Sequence, residues 1–255
     1  MKLSKWQALG NDYLLVEQAE LTQPLTPDAV RELCDYHYGV GSDGLLEVMS
    51  VEGARAQVRI WNPDGSTAEL SGNGVRIVAA WLARRSGAEH VTLTVGSREV
   101  GASVGADGNV ALDIGQIDVG ETETLDLGDE RVEFTPVSVG NPHAVVRRDS
   151  ERGELLRLGP LIERHSRFAD RTNVQLVRVD GLHDLTVAVW ERGAGETLSS
   201  GTSSVAAAAA AVANGWCESP VEVHLPGGDL HVELDVDGGA RLTGPVEEIC
   251  RVELV

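Results

Sequence analysis

Cysteine is scarce in this chain, and its few copies stand far apart. Cys34, Cys217 and Cys250 are the only cysteines among 255 residues. An odd number at wide spacing predicts neither a disulfide framework nor a cysteine-based metal site. We expect each of them to be a small buried hydrophobic residue. Free thiols are typical of a reducing compartment, so the expected location is the cytoplasm.

Long hydrophobic runs are missing as well. No apolar stretch approaches the roughly 20 residues that a membrane-spanning helix needs. The N-terminal residues MKLSKWQALGND lack the apolar segment of a signal peptide. We therefore expect a protein that neither spans a membrane nor binds one.

Positive charge is outweighed by negative charge. The chain contains 21 Lys and Arg residues and 40 Asp and Glu residues, which gives a formal net charge of −19. Nucleic acids and anionic membranes need a basic surface, so neither is an expected partner. We expect neither a metal site nor nucleotide dependence, because the chain shows neither metal-ligand spacing of His, Asp and Glu nor a Walker-type loop.

Alternating apolar and polar residues predict β-strands in both halves of the chain. The predicted strands cover residues 91–95, 110–114, 185–189, 221–225 and 230–236. Turn pairs separate several of them, at Asp107-Gly108, Gly227-Gly228 and Asp237-Gly238. Strands therefore dominate the predicted fold.

Two helices are also indicated. A surface helix is predicted to begin after Thr26 as N-cap, with Pro27 at its first position, and to end before Gly39. The alanine-rich run 205–213 contains neither Gly nor Pro and predicts a helix that is buried on all sides.

The chain also repeats itself at an offset close to half its length. Trp61 and Ser71-Gly72 recur 129 residues later as Trp190 and Ser200-Gly201. The same offset relates Val58 to Val187 and Ala79 to Ala208, and Gly10-Asn11 recurs 130 residues later as Gly140-Asn141. We infer an internal duplication and predict two similar α+β domains, residues 1–118 and 119–255. The stretch GETETLDLGDE (120–130) is predicted to be an exposed connection between the two domains. The domain boundaries also allow the last strands of the chain to pack on the first domain.

Each half places a strand, a polar turn and then a helix whose first turn is rich in small polar residues. Helix N-termini bind anions, because they present unpaired N–H groups and a partial positive charge. Two such helices facing each other would hold one carboxylate and stabilise a carbanion at the adjacent carbon. A simpler interpretation is that Ser71 and Ser200 only cap their helices, a position that serine favours.

The chain resembles the diaminopimelate epimerase family over essentially its full length. The matching stretches are LGND (9–12), HYGVGSDGLL (37–46), WNPDGS (61–66), SGNGVR (71–76), GNPHAVV (140–146), GPLIERHSRFADRTN (159–173), ERGAGETL (191–198) and LPGG (225–228). The resemblance implies an α+β fold of two pseudo-symmetric domains, each a β-rich sheet wrapped round a central helix. It also implies an active site in the cleft between them, and a homodimer.

In that family, a cysteine thiolate removes the α-proton of diaminopimelate and a second thiol reprotonates the opposite face, without pyridoxal phosphate or any other cofactor. The resemblance therefore implies an isomerase that interconverts LL- and meso-diaminopimelate, for lysine and peptidoglycan synthesis. Its implied substrate-binding residues are Asn11, Asn62, Gly72, Asn73, Asn141, Asn173, Glu191, Arg192, Gly201 and Thr202. His143 and Glu191 match groups that tune the catalytic pair, and Gly44 stands where many members have a larger polar residue.

The two catalytic cysteines of the family are replaced here by Ser71 and Ser200. A thiol has a pKa near 8.5, and a helix N-terminus lowers it further. If the hydroxyl is about five units less acidic, forming the base costs about 7 kcal/mol more, at about 1.4 kcal/mol per unit. A helix dipole contributes only about 0.3–2 kcal/mol. A serine base therefore needs its own proton acceptor, and His143 and Glu191 are the candidates.

Three interpretations follow from the two serines. The pair is an engineered replacement that keeps the site inert, or it belongs to a natural member that still acts on an amino acid. In the third interpretation, a natural relative keeps the fold and binds a ligand but has lost or changed its chemistry. The main hypothesis is an epimerase of the diaminopimelate type, with Ser71, Ser200, His143 and Glu191 as its catalytic residues.

Overall fold

The computed structural model describes residues 1–68 and 70–254. Two compact units make up the chain: unit 1 is Met1–Leu112 with Gly244–Val255, and unit 2 is Asp113–Thr243. The described helices are α1 (Pro27–Cys34), α2 (Gly72–Ser86), α3 (Arg152–Glu163) and α4 (Gly201–Ala213), with a 3-10 turn at Gln18–Glu20. The described strands are β1 (Lys2–Ala8), β2 (Asn11–Glu17), β3 (Leu45–Glu52), β4 (Arg55–Trp61), β5 (Thr67–Ala68), β6 (His90–Val95), β7 (Arg98–Val104), β8 (Asn109–Gln116), β9 (Asp118–Val119), β10 (Glu123–Asp126), β11 (Arg131–Ser138), β12 (Pro142–Arg147), β13 (Asn173–Val179), β14 (Asp184–Glu191), β15 (Gly195–Thr197), β16 (Val221–Leu225), β17 (Gly228–Leu234), β18 (Gly239–Pro245) and β19 (Glu247–Glu253).

Unit 1 is built on a mixed sheet. Strand β1 pairs antiparallel with β2, β2 pairs parallel with β3, and β3 pairs antiparallel with β4. Strand β4 then pairs parallel with β6, which continues antiparallel into β7 and β8. The C-terminal strand β19 pairs antiparallel with the outer side of β1.

Unit 2 repeats this order of strands and directions. Its sheet contains, in order, strands β11, β12, β13, β14, β16, β17 and β18. The pairs β12–β13 and β14–β16 are parallel, and the other neighbouring pairs are antiparallel. Strands β9 and β10 pair with β11, as β19 pairs with β1 in unit 1. Helix α4 follows β15 in the same way that α2 follows β5. The α+β class and the two β-rich units that repeat each other are confirmed.

Each unit buries one long helix against its sheet. In α2, every residue from Asn73 to Ala80 is buried. In α4, every residue from Ser203 to Ala211 is buried, whereas the last residue of the helix, Ala213, is exposed. Alanine lets neighbouring strands approach the helix closely, because its methyl group is the whole side chain. The buried alanine helix is thus confirmed up to residue 211.

Most of the predicted elements are present. The N-cap of α1 is Thr26, whose Oγ1 accepts a hydrogen bond from the Ala29 amide at 3.2 Å, and Pro27 opens the helix. The predicted strands correspond to β6, β8, β14, β16 and β17. Among the described residues, no helix is both long and apolar enough to span a membrane.

Three expectations are wrong. Cys250 is exposed, because β19 lies at the edge of its sheet, although Cys34 and Cys217 are buried as expected. Residues 120–130 do not form a plain connection: they contain β10, and Leu125 within it is buried. Strand β17 ends at Leu234 rather than 236, because the Asp235 carboxylate accepts hydrogen bonds from two following amides and starts a turn.

Candidate active site

In unit 1, Ser71 is the N-cap of α2 and has extended backbone angles. Its Oγ accepts a hydrogen bond from the Gly74 amide at 3.1 Å, so the side chain caps the helix as the simpler interpretation expects. A second hydrogen bond joins Ser71 Oγ to the Tyr13 hydroxyl at 3.0 Å. Ser71 and Gly72 are both partly exposed, so a ligand has access to this helix end.

Two of the predicted substrate-binding amides lie in one hydrogen-bonded chain beside Ser71. Arg76 Nη2 donates to Asn73 Oδ1 at 2.8 Å, and Asn73 Nδ2 donates to Asn11 Oδ1 at 3.1 Å. Asn11 Nδ2 in turn donates to Asp43 Oδ2 at 3.0 Å. The chain fixes which end of each amide is the donor, and it therefore orients both side chains.

Arg76 is completely buried in the first turns of α2. Its Nε and Nη1 atoms have no hydrogen-bond partner among the described residues. Burial lowers the pKa of the guanidinium to about 10, so the group still carries its charge at neutral pH. A buried positive charge next to a helix N-terminus adds to the attraction of that end for an anion.

Asn62 lies apart from this chain of contacts, in the turn that follows β4. Its Nδ2 donates to Ser66 Oγ at 2.9 Å, and the Asp64 carboxylate accepts from the same hydroxyl. Gly65 closes the turn with a φ of 81°, which favours glycine. The turn therefore holds the Asn62 side chain in one orientation.

In unit 2, Ser200 is the N-cap of α4, but its hydroxyl makes no capping hydrogen bond. Its partner is instead Glu191, at the end of β14, whose pKa the Ser200 hydroxyl lowers through a hydrogen bond. Burial raises the pKa of Glu191, and the hydrogen bond from Ser200 opposes this in part. The two serines, which look equivalent in the sequence, therefore have different partners: a phenol at Ser71 and a carboxylate at Ser200.

His143 is buried on β12, and both of its ring nitrogens are occupied. Nε2 lies 2.9 Å from Asn141 Oδ1, and Nδ1 lies 3.0 Å from Gln175 Nε2. Asn141 Oδ1 can only accept and Gln175 Nε2 can only donate, so the ring is the neutral Nε2–H tautomer. Burial lowers the pKa of His143 to about 3. With its one lone pair engaged, this ring is not available to accept the Ser200 proton.

The end of β14 at Glu191 and the turn that follows it, which begins with Arg192, are held by side chains from two other elements. Asn173 Oδ1 accepts from the Arg192 amide at 2.9 Å, and its Nδ2 donates to the Pro142 carbonyl at 3.0 Å. The buried Glu163 carboxylate accepts from the Gly193 amide and from Trp190 Nε1, both at 2.9 Å. These bonds fix the direction in which Glu191 leaves its strand.

The predicted residues thus fall into small hydrogen-bonded groups within each unit. Asn11 and Asn73 form one group near Ser71; Asn141 joins His143, and Asn173 joins the Arg192 backbone. The Arg192 side chain is exposed and donates to the Asp170 carbonyl at 3.3 Å, while Gly201 and Thr202 open α4.

Sequence reasoning missed four residues that shape these groups: Tyr13, Arg76, Glu163 and Gln175. For Arg76 a signal was present, because an arginine inside an apolar helix face is unusual and needs an explanation. The described residues contain no cluster of three or more His, Cys, Asp or Glu with the geometry of a metal site.

Comparison with known proteins identifies the family. The model of the family described as "Diaminopimelate epimerase" matches residues 3–119 and 135–249. Diaminopimelate epimerase 2 of Nostoc sp. is 36% identical and is aligned over 100% of this chain and 95% of its own length. Diaminopimelate epimerase of Desulfitobacterium hafniense is 37% identical, over 96% of this chain and 95% of its own.

Solved structures share the fold at lower identity. A hydroxyproline epimerase from Agrobacterium vitis, with bound trans-4-hydroxy-L-proline, has a TM-score of 0.72 and 16% identity, covering 99% of this chain and 91% of its own. A phenazine biosynthesis protein of the PhzF family from Bacillus anthracis has a TM-score of 0.74 and 14% identity, covering 100% and 99%. By its sequence and its fold, the chain belongs to the diaminopimelate epimerase family and is an isomerase of the epimerase type.

Proposed function

We propose that this enzyme interconverts LL- and meso-diaminopimelate by two-base α-proton transfer, without pyridoxal phosphate or another cofactor. Its product would enter lysine and peptidoglycan synthesis, as the family membership suggests. One observation carries the proposal: the Ser200 hydroxyl makes no capping bond to its helix and instead acts as a hydrogen-bond partner of Glu191, which lowers the pKa of that carboxyl group.

Glu191 supplies the basicity that a serine hydroxyl lacks. As the substrate Cα–H bond breaks, Ser200 Oγ takes the α-proton and passes its own proton to the Glu191 carboxylate. No free alkoxide is formed, so the cost of about 7 kcal/mol estimated for a bare serine base does not arise. Burial raises the pKa of Glu191 towards the working pH, which makes its carboxylate a stronger proton acceptor. His143 is neutral and already hydrogen-bonded, so its role is to hold Asn141 in place.

The remaining predicted residues bind the substrate. The backbone N–H groups at the start of α2, and likewise those at the start of α4, suit a substrate carboxylate. The buried charge of Arg76 adds to the field at α2, and the exposed guanidinium of Arg192 suits the distal carboxylate through its paired donors. The asparagine side chains at 11, 62, 141 and 173 are assigned to the amino and carboxylate groups, as in the family. Gly72-Asn73 and Gly201-Thr202 are assigned to binding through their backbone N–H groups.

A second candidate function is supported by the other serine. Ser71 Oγ does accept a capping hydrogen bond from Gly74, so on this side the simpler structural role is fulfilled. A family member that binds an amino acid without reaction, or that carries out a different isomerisation, would have this arrangement too. Such a protein binds diaminopimelate or a related amino acid but does not interconvert the two stereoisomers.

The test is Glu191→Gln, which keeps the shape of the side chain and removes its basicity. Interconversion, followed by NMR with each isomer, is expected to fall about 10²–10⁴-fold, the usual contribution of a general base. Glu196→Gln is the matched control, because Glu196 is exposed on β15 and pairs with Arg152. Equal rates in Glu191→Gln and the parent would refute the role of Glu191, and a parent that binds both isomers without interconverting them would favour the second candidate.

The family resemblance also favours a homodimer in the cytoplasm. Light scattering on the purified enzyme tests the first point: a mass twice the 27.1 kDa of the chain supports it, and a single-chain mass contradicts it.

A further inference from the structure

The position of Tyr13 depends on the glycine at residue 44. A Cβ atom added to Gly44 would lie 2.7 Å from Tyr13 Cε1 and 2.6 Å from the Trp61 carbonyl oxygen, too close for any other residue. The Tyr13 ring therefore occupies space that a side chain at position 44 would fill. The ring is buried, and its packing carries the hydroxyl to one place, 3.0 Å from Ser71 Oγ.

The hydrogen-bond geometry at Ser71 Oγ defines what this contact does. A serine hydroxyl has one proton to give and two lone pairs. The Gly74 amide donates to one lone pair at 3.1 Å, and the Tyr13 hydroxyl is within donating distance of the other. When both lone pairs are occupied, the serine proton is left to point away from these groups, towards a ligand at the partly exposed end of α2.

We propose that Tyr13 is the proton donor behind Ser71, so that the two serines pass protons in opposite directions: Ser200 removes the α-proton and Ser71 returns one. This inference rests on the proposed epimerase function and adds to it the identity of the acid. As the Ser71 proton forms the new Cα–H bond, the Tyr13 proton moves to Ser71 Oγ and leaves a phenolate. The neutral Glu191 and the Tyr13 phenolate then return to their starting states by exchange with water.

The acidity of a phenol explains why serine serves here. A phenol has a pKa near 10, several units below that of an aliphatic hydroxyl, so Tyr13 gives up a proton far more readily than Ser71 alone. For the isomer whose α-proton faces Ser200, the carboxylate is the proton acceptor and the phenol is the proton donor. The reverse reaction uses the same groups in the opposite states: the Tyr13 phenolate accepts a proton through Ser71, and neutral Glu191 donates one through Ser200. Neither partner is needed when the serine is a cysteine, because a thiol with a pKa near 8.5 both gives and takes a proton.

The test is Tyr13→Phe, which keeps the ring that packs on Gly44 and removes only the hydroxyl. In deuterated buffer, we expect interconversion to fall about 10²–10⁴-fold. The isomer whose α-proton faces Ser200 should still exchange that proton for deuterium at a rate close to that of the parent. Tyr38→Phe is the control, because Tyr38 is 95% exposed. Parent-like interconversion by Tyr13→Phe, or loss of exchange from both isomers, would overturn the inference.

A second experiment, in the Ser71→Cys variant, distinguishes proton donation by Tyr13 from a structural role of the same residue. In Ser71→Cys, the added Tyr13→Phe change should alter interconversion less than about threefold, because the thiol carries its own proton. An equal loss in the serine and cysteine backgrounds would mean that Tyr13 only supports the site, and it would overturn the inference while the epimerase function stands. If the parent shows neither exchange nor interconversion, the epimerase function itself is refuted.

Discussion

The buried neutral state of His143 has a measurable consequence for stability. Its pKa is lowered from 6.5 to about 3 by burial, whereas in the unfolded chain the ring is expected to titrate near 6.5. Below pH 6.5 the unfolded state therefore binds a proton that the folded state does not. The contribution of His143 to stability is complete above pH 6.5 and is lost as the pH falls towards 3.

The size of the effect follows from this difference in pKa. A pH of 5 is 1.5 units below the pKa of the ring in the unfolded chain. Protonation of the unfolded state therefore lowers the free energy of unfolding by about 2 kcal/mol, at about 1.4 kcal/mol per unit. The variant His143→Gln cannot titrate in this range. We therefore expect the free energy of unfolding to fall about 2 kcal/mol more in the parent than in His143→Gln between pH 8 and pH 5.

Urea denaturation at a series of pH values measures this difference. The comparison concerns the pH dependence of each protein, so the constant cost of repacking around glutamine cancels. Parallel curves for the parent and His143→Gln would refute the reasoning, because they would mean that His143 titrates equally in the folded and unfolded states. The catalytic assignment would change as well, since a His143 that titrates normally would compete with Glu191 as the proton acceptor.

Three further predictions concern unit 1, and urea denaturation measures each of them. Arg76→Met removes a buried charge whose pKa is lowered from 12.5 to about 10, and we expect the free energy of unfolding to rise by about 1–3 kcal/mol; a fall would contradict this. Gly44→Ala forces a methyl group against the Tyr13 ring, and we expect the free energy of unfolding to fall by about 1–3 kcal/mol. An unchanged free energy of unfolding would show that the ring moves away without cost. Ser71→Ala removes the cap on the Gly74 amide and should cost about 1 kcal/mol, whereas no loss would mean that water replaces the cap.

Local sequence patterns were enough for most of the fold. The alternation in 185–189 and 221–225 predicts β14 and β16, and Thr26 followed by Pro27 predicts the start of α1, because each signal acts within a few residues. Edge positions were not predictable in the same way. The segment around Cys250 shows no alternation that identifies a buried face, so its exposure follows only from the place of β19 beside β1.

The same distinction between local and long-range features applies to the candidate site. The motifs contain Ser71, Ser200 and Glu191, and the repeat makes the two serines look equivalent. Their different hydrogen bonds depend on residues far away in the sequence: Tyr13 is 58 positions from Ser71, and its ring can reach the serine only because residue 44 is glycine. A repeat in the sequence shows where the helices begin, but it does not show what lies opposite each helix.

The central claim is that serine, supported by Glu191 and Tyr13, carries out α-proton transfer. The most direct measurement is NMR of LL- and meso-diaminopimelate in deuterated buffer, with the parent enzyme and the Ser71→Cys/Ser200→Cys variant side by side. We predict that the parent replaces the α-proton of both isomers with deuterium and interconverts them. Exchange and interconversion by the cysteine variant alone would contradict the claim, and would mean that the serines leave an epimerase fold without its catalytic pair.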